Sequence, residues 1–334
     1  MERSAGRTAG RLGAAFLAGA ALLSAVGCST DAGTGLRSSA ATPSAAAHAK
    51  GAGDKDGGTG KPSTAPTSPS TPSMPEPAVL ARATVHVPDR QTVGVGMPIS
   101  VTFPRPVPVT ERAAVENWLR VRTSSATTGA WSWVRDHNLL DGQRLDFRPT
   151  TYWRPGTKVS LRVGSHGVRH FTVGRSLVAT VDTTTDMMTV DTGGKESRIP
   201  ITAGKPGRDT WNGTMVVMDK QPKVLMDSST VGMGPNDTYR AYYHWALHLT
   251  TSGTYVHQNP HADTAAGRSN VTHGCVGLAT TTARGFYDQV MVGDVIKVTG
   301  AHKPVVAVGN GYGDWNLSWK RWLEHSATGA TRTA

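Results

Sequence analysis

A cysteine between two glycines lies in the stretch Asn270-Val271-Thr272-His273-Gly274-Cys275-Val276-Gly277-Leu278, which determines the chemistry expected of this chain. The glycines allow tight backbone turns and close approach of a substrate to the sulfur. His257 ends a strand-like segment 18 residues earlier. A thiol attacks a carbonyl as the thiolate, and an imidazole can take its proton and pass it to a leaving amine. The pair predicts Cys–His acyl transfer through an ion pair that lowers the thiol pKa.

Two other interpretations of these residues are weaker. A free cysteine is often a small buried hydrophobe, but the polar loop around Cys275 disfavours that. Zinc ligands could come from His257, His261, His273 and Cys275, yet Asn259-Pro260 prevents a shared helical face, and no Cys-x-x-Cys occurs. His261 is expected in a loop. We therefore expect no metal and no cofactor, and no glycine-rich phosphate loop is visible.

The composition favours anionic partners without choosing among them. The 334 residues include 35 Lys and Arg against 24 Asp and Glu, a formal net charge of +11. Such an excess suits nucleic acid, lipid headgroups or an acidic wall polymer. A hydrophobic fraction of 38% excludes a multi-span membrane protein, and two cysteines exclude a disulfide framework.

The first 28 residues have the features of a secretory signal. Arg3, Arg7 and Arg11 precede an apolar stretch over 12–26, which ends at Ala25-Val26-Gly27-Cys28. This tetrapeptide resembles a bacterial lipobox, which implies that residues 1–28 are a lipoprotein signal and that Cys28 becomes an acylated N-terminus. A plain secretory signal with an incidental cysteine is the alternative. We therefore expect no nucleic-acid partner, because the chain is expected on the extracellular face of the cell membrane, in the cell wall.

The rest of the chain divides by composition. Residues 29–78 are rich in Ala, Ser, Pro and Gly and predict a disordered tether. Short alternating segments over 79–173 predict a β-sandwich, with Trp131, Trp133 and Trp153 in its core rather than on a sugar-stacking surface. Residues 174–300 predict a mostly β domain with one main helix after Thr280. A Trp-rich segment over 301–325 is expected to pack back on a domain, and 326–334 to be a disordered tail.

Several separated motifs resemble the catalytic domain of L,D-transpeptidases over residues 175–323. They are Leu225-Met226-Asp227-Ser228-Ser229-Thr230, Tyr239-Arg240, Ser252-Gly253-Thr254-Tyr255-Val256-His257, Thr272-His273-Gly274-Cys275-Val276, Phe286-Tyr287-Asp288, Gly293-Asp294 and Gly313-Asp314-Trp315-Asn316. The preceding β unit resembles the immunoglobulin-like (Ig-like) module of actinobacterial, mycobacterial-type enzymes. The implied fold is mostly β, an Ig-like sandwich followed by a β-rich catalytic domain.

The resemblance implies a role for each matching residue. Cys275 corresponds to the nucleophile that forms a thioester with the third stem-peptide residue of peptidoglycan and releases D-alanine. His257 corresponds to the general base, and His273 to a second active-site histidine. The implied oxyanion and substrate-binding residues are Gly274, Tyr239, Ser252, Thr272 and Met226. An amine of a neighbouring stem then gives a 3→3 cross-link, and carbapenems are expected to acylate the sulfur.

Two departures from the family pattern affect the substrate side. Gly277 stands where Arg or Asn is usual, and His261 where tryptophan is usual. These leave two alternatives open: a catalytically weak or inactive wall-binding lipoprotein, and a cysteine wall hydrolase. Sortases differ, since they carry their cysteine in another motif.

Overall fold

The first folded unit is a β-sandwich of a five-stranded and a four-stranded sheet. The computed structural model describes residues 74–231 and 238–333 of the chain. All of these residues lie in one compact body, which contains both of the β-rich units described here. The predicted signal, Cys28 and nearly all of the tether lie outside these residues. The sandwich strands are β1 (Thr84–Val85), β2 (Gln91–Val93), β3 (Ile99–Thr102), β4 (Leu119–Thr123), β5 (Thr127–Val134), β6 (Arg144–Pro149), β7 (Lys158–Val163) and β8 (Val168–Val173).

The two sheets enclose an apolar core, as the alternating sequence requires. Their orders are β1-β3-β6-β5-β18 and β2-β8-β7-β4, where β18 is Thr331–Thr333. The side chains of Trp131, Trp133 and Trp153 are 2–5% exposed and belong to this core, which confirms the core prediction. A single helix, α1 (Val109–Trp118), precedes β4.

The second unit is built on a nine-stranded sheet in the order β12-β17-β9-β10-β11-β16-β15-β14-β13. Helix α3 (Thr280–Gln289) packs on it through Ala283 and Phe286, as the i, i+3 spacing predicts. The bounds are β9 (Val178–Asp182), β10 (Met187–Asp191), β11 (Glu196–Thr202), β12 (Gly213–Val216), β13 (Asp219–Asp227), β14 (Arg240–His248), β15 (Tyr255–Gln258), α2 (Ala262–Ala265), β16 (Val276–Leu278) and β17 (Val295–Thr299). The prediction of a mostly β chain in two β-rich units is confirmed.

The C-terminal segment returns to the sandwich. Helix α4 (Trp319–Leu323) places Trp322 fully buried against β5, where its Nε1 donates to the carbonyl of Ala130 at 3.0 Å. The predicted disordered tail over 326–334 is wrong for residues 326–333. The Glu116 carboxylate accepts backbone N–H bonds from Ala327 and Thr328, both at 2.9 Å, and β18 then pairs with β5.

No helix within residues 74–231 and 238–333 is both long and apolar enough to cross a membrane.

Candidate active site

Parallel pairing of β15 with β16 brings the cysteine loop beside the predicted histidine. His257 lies opposite Gly277, and Val256 opposite Val276. Cys275 directly precedes β16, so its neighbour across the sheet is the start of β15 at Tyr255. Two segments separated by 18 residues in the sequence therefore become adjacent strands with a common edge.

The Cys275 side chain is almost enclosed. The residue is 9% exposed, and its Sγ donates to the carbonyl of Gly253 at 3.7 Å. Burial raises the pKa of the Cys275 thiol to about 11, because a thiolate loses its hydration there. The backbone N–H of Tyr255 points to the sulfur and acts in the opposite direction, with a smaller effect.

The ring of His257 is held in one orientation. It is 3% exposed, and its Nδ1 lies 2.6 Å from the carbonyl oxygen of Gln258. Because a carbonyl can only accept, Nδ1 carries a proton, and in the neutral ring Nε2 is then the nitrogen with the lone pair. Burial lowers the pKa of His257 to about 4, against the opposite effect of the Gln258 hydrogen bond.

The burial of both side chains opposes the expected thiolate–imidazolium pair. Burial disfavours the charged form of both groups, raising the pKa of Cys275 and lowering that of His257. The sequence shows neither group's burial, so it could not indicate this. Burial thus shifts both pKa values in the direction of the neutral thiol and the neutral imidazole.

Thr272 and Gly274 fix the backbone around the sulfur. The Thr272 hydroxyl donates to the carbonyl of Cys275 at 2.6 Å and accepts the N–H of Gly274 at 3.2 Å. Gly274 has φ +121°, a backbone conformation that a side chain would disfavour. The Thr-x-Gly-Cys pattern thus has a local geometric reason.

Aromatic rings connect the two histidines. The ring of Tyr239 lies 5.3 Å from that of His273 and 6.4 Å from that of Tyr243, and Tyr243 lies edge-on to His257 at 4.5 Å. Burial, with a smaller contribution from Cys275, raises the pKa of Tyr239 to about 12, so its hydroxyl keeps its proton. Tyr243 was not among the predicted site residues. Its signal was the even spacing from Tyr239, which places both on one face of a strand.

A cavity of about 490 Å³ opens onto the sulfur. Six of the predicted site residues line it, whereas His257 and Thr272 are not among the lining residues. The lining residues are Gly207, Arg208, Asp209, Trp211, Leu225, Met226, Asp227, Thr230, Tyr239, Ser252, Gly253, Thr254, Tyr255, His273, Gly274, Cys275, His302 and Lys303. Arg208, Trp211 and Lys303 were not predicted, since no local motif contains them.

Asn310 holds the loop that carries Ser252. Its Oδ1 accepts the N–H of Ser252 at 2.9 Å and the hydroxyl of Thr251 at 3.0 Å, and its Nδ2 donates to the Ser252 hydroxyl at 2.8 Å. The next residue, Gly253, supplies the carbonyl that contacts Cys275. A residue of the C-terminal segment thereby fixes one wall of the site.

The two departures from the family pattern have different surroundings. A Cβ on Gly277 would lie 2.9 Å from Thr202 Cγ2 and 3.1 Å from Asn259 Cβ, so this position is filled by its neighbours. His261 is exposed at the start of α2, outside the cavity lining. In the described part of the chain, no group of His, Cys, Asp and Glu side chains could hold a metal ion.

Comparisons with known proteins match both units. Residues 176–299 match the profile of the L,D-transpeptidase catalytic domain (YkuD), and residues 41–169 that of a bacterial Ig domain. L,D-transpeptidase 1 of Mycobacterium tuberculosis (H37Rv) is 37% identical over 232 residues, 69% of this chain and 88% of that protein. L,D-transpeptidase 2 of M. tuberculosis (CDC 1551) is 32% identical over 267 residues, 75% of this chain but 64% of that protein, less than two thirds of its length.

Solved structures agree with these sequence matches. An LD transpeptidase in complex with imipenem superposes with a TM-score of 0.58 at 35% identity, over 65% of this chain and 97% of that one. L,D-transpeptidase 3 of M. tuberculosis with a faropenem-derived adduct gives 0.57 at 30% identity, over 66% and 99%.

Proposed function

Because the chain belongs to the L,D-transpeptidase family of acyltransferases, we propose that it cross-links peptidoglycan stem peptides, with Cys275 as nucleophile and His257 as base. The observation that carries these roles is the enclosed thiol beside a strand whose histidine is held as the Nδ1–H tautomer by Gln258. Acyl transfer through a thioester needs no metal or cofactor.

The thiol and the imidazole exchange one proton during each half-reaction. Sγ bonds to the carbonyl carbon of the third stem residue while its proton moves to Nε2 of His257. Collapse of the intermediate breaks the bond to D-alanine, whose nitrogen takes that proton, and leaves a thioester. An amine of a second stem then attacks, gives its proton to His257, and the thiol is restored. Because the pKa of the thiol is about 11, proton loss accompanies attack rather than precedes it.

The remaining predicted residues surround the reacting carbonyl. We assign the oxyanion to the Tyr239 hydroxyl, which keeps its proton, and to the backbone at Gly274. His273, Ser252 and Met226 line the cavity and are proposed to contact the stem peptide. Thr272 acts through the backbone, by holding the carbonyl of Cys275.

Incubation with a disaccharide-tetrapeptide, followed by mass spectrometry, tests this function. The expected products are free D-alanine and 3→3 dimers, both lost in Cys275→Ala. Cleaved peptide without dimers would favour a wall hydrolase. No turnover by the unmodified chain would favour an inactive wall-binding protein.

The β-lactam adducts of the relatives suggest an inhibitor class. Two of the similar solved structures contain imipenem and a faropenem-derived adduct. We propose that carbapenems acylate Cys275, which intact-protein mass spectrometry would detect as a single adduct, absent in Cys275→Ala.

The family acts on the cell wall, outside the cytoplasm, and we propose that this chain is held there by acylation of Cys28. The support is the lipobox-like sequence before Cys28 and the tether composition after it. Metabolic labelling with a radioactive fatty acid should mark the expressed protein and not Cys28→Ala. Equal labelling of both would contradict the anchor.

A further inference from the structure

One wall of the cavity carries positive charge that the mechanism above does not use. Arg208 and Trp211 come from the loop after β11, and His302 and Lys303 from the loop after β17. Both loops line the same cavity as Cys275. Cationic groups in the wall of a substrate cavity select for anionic parts of a ligand.

Lys303 is held in place. Its Nζ lies 3.9 Å from the centroid of the Trp211 ring, a cation–π contact. Asn212 donates from Nδ2 to the carbonyls of Ala301 and Lys303, both at 2.6 Å, and accepts the N–H of Ala301 at 3.2 Å. Asn212, the residue after Trp211, thus fixes the loop that carries Lys303. The Lys303 ammonium is therefore positioned before a ligand binds.

The Lys303 ammonium is partly removed from water within the cavity lining. Burial lowers the pKa of Lys303, Asp209 acts in the opposite direction, and Arg208 lowers the pKa further. A carboxylate would restore part of the solvation that a half-buried ammonium has lost, and charge-assisted hydrogen bonds are the strong ones.

We propose that Lys303, held over Trp211, binds a free carboxylate of the acyl-donor stem peptide and determines donor specificity. This rests on the proposed function, because the donor is the ligand of the Cys275 cavity. Three carboxylates can supply the group: that of the terminal D-alanine, that of an acidic second residue, and that of the side chain of the third residue. Amidation removes each of them without changing the shape of the peptide much.

The test compares wild type with Lys303→Gln on four tetrapeptide donors, one fully free and three amidated singly. With the free donor, Lys303→Gln should raise KM roughly tenfold with kcat within about twofold. On the donor whose recognised carboxylate is amidated, the KM of wild type should rise to the value that Lys303→Gln shows with the free donor. On that amidated donor, wild type and Lys303→Gln should have the same KM. Lys303→Arg and Trp211→Phe should retain most of the affinity. Lys195→Gln, on the exposed β10–β11 turn, is the matched control and should match wild type.

Equal KM for wild type and Lys303→Gln on all donors would overturn the proposal, as would the same increase on all four donors. Calorimetry with Cys275→Ala and Cys275→Ala/Lys303→Gln measures donor binding without turnover. A tenfold weaker Kd in the double variant supports the Lys303 site even if no cross-linking is seen. This measurement therefore distinguishes failure of the Lys303 proposal from failure of the proposed function. Equal values of Kd would contradict it.

Discussion

Burial shifts the pKa of Cys275 and that of His257 in the direction of the uncharged form. Each side chain is nearly enclosed, and burial removes the hydration that a thiolate or an imidazolium needs. In the proposed mechanism, substrate binding and proton transfer to Nε2 of His257 together activate the thiol. Two measurements follow at the scale of single residues.

The first measurement is alkylation of Cys275 by iodoacetamide as a function of pH. Because its pKa is raised to about 11, the rate should be low at pH 7 and rise tenfold per pH unit up to about 11. Mass spectrometry of the peptide that contains Cys275 measures the alkylation rate. The control is the chain in denaturant, for which the pH dependence of the rate should have its midpoint at about 8.5. A midpoint below 7 would show that the ion pair exists at rest.

The second measurement is the decrease of kcat/KM at acid pH, the acid limb of its pH profile. Protonated His257 cannot accept the thiol proton, so activity falls as pH drops through its pKa, which is lowered to about 4. Wild type should therefore stay active at pH 5.5, where an ordinary histidine with a pKa of about 6.5 would be mostly charged. His257→Gln should lose about 10²–10⁴-fold at every pH. A limb centred near 6.5 would contradict the assigned environment.

What the sequence could reveal of this site was its local chemistry. Thr272, Gly274 and Cys275 form a motif, and His257 ends a recognisable strand, so their proximity was predictable from a parallel pairing. Lys303 was not predictable, because its loop meets the site through contacts between segments distant in the sequence. The even spacing of Tyr243 from Tyr239 was the one signal for that residue. The protonation states were not predictable either, since they depend on enclosure by all these segments at once.

At the scale of secondary-structure elements, strand β16 is packed too closely to accommodate a side chain at its central residue, Gly277. The nearest atoms to a Cβ on Gly277 are 2.9 Å and 3.1 Å away. Gly277→Ala should therefore destabilise the fold by about 1–3 kcal/mol, measured by urea unfolding. Gly285 in α3 has nothing within 4 Å of such a Cβ, and Gly285→Ala should stabilise by about 0.5–1 kcal/mol. Equal effects of the two changes would contradict this description of the packing.

The loop between β14 and β15 depends on one amide side chain. Asn310→Ala leaves the Ser252 N–H without its acceptor and frees the Gly253 carbonyl that contacts Sγ. We expect kcat to fall about 10- to 100-fold with a smaller change in KM, because the reacting groups are misplaced. Asn310→Asp keeps both accepted hydrogen bonds and should retain more activity.

Asn138→Ala, at an exposed position in the sandwich, is the control for Asn310→Ala. If both alanine variants have the same kcat and the same Cys275 alkylation rate as wild type, the loop does not need Asn310.

At the scale of the whole molecule, the C-terminal segment belongs to both units. Arg144 of β6 donates to the carbonyl of Gly311 at 3.0 Å, next to Asn310, so the sandwich supports the segment that holds the active-site loop. Local patterns predicted that this Trp-rich segment packs back, because exposed tryptophans are costly. They did not predict β18, which pairs with β5 just after Glu116 of α1 accepts the N–H of Ala327.

Trp322 tests that attachment. Its side chain is fully buried and hydrogen bonded to Ala130, so Trp322→Ala should cost about 3–5 kcal/mol of unfolding free energy. Arg321→Ala, on the exposed side of α4, should cost less than about 0.5 kcal/mol. Chemical denaturation of the two variants measures the difference, and a loss below 1 kcal/mol for Trp322→Ala would show that the segment is not part of the core.

The most direct test of the account is the mass of the enzyme mixed rapidly with a tetrapeptide donor in the absence of an acceptor amine. We predict a single added tripeptide acyl group on the peptide that contains Cys275, one D-alanine released per adduct, and much slower adduct formation in His257→Gln. An adduct on another residue, or one that forms at the wild-type rate without His257, would contradict it.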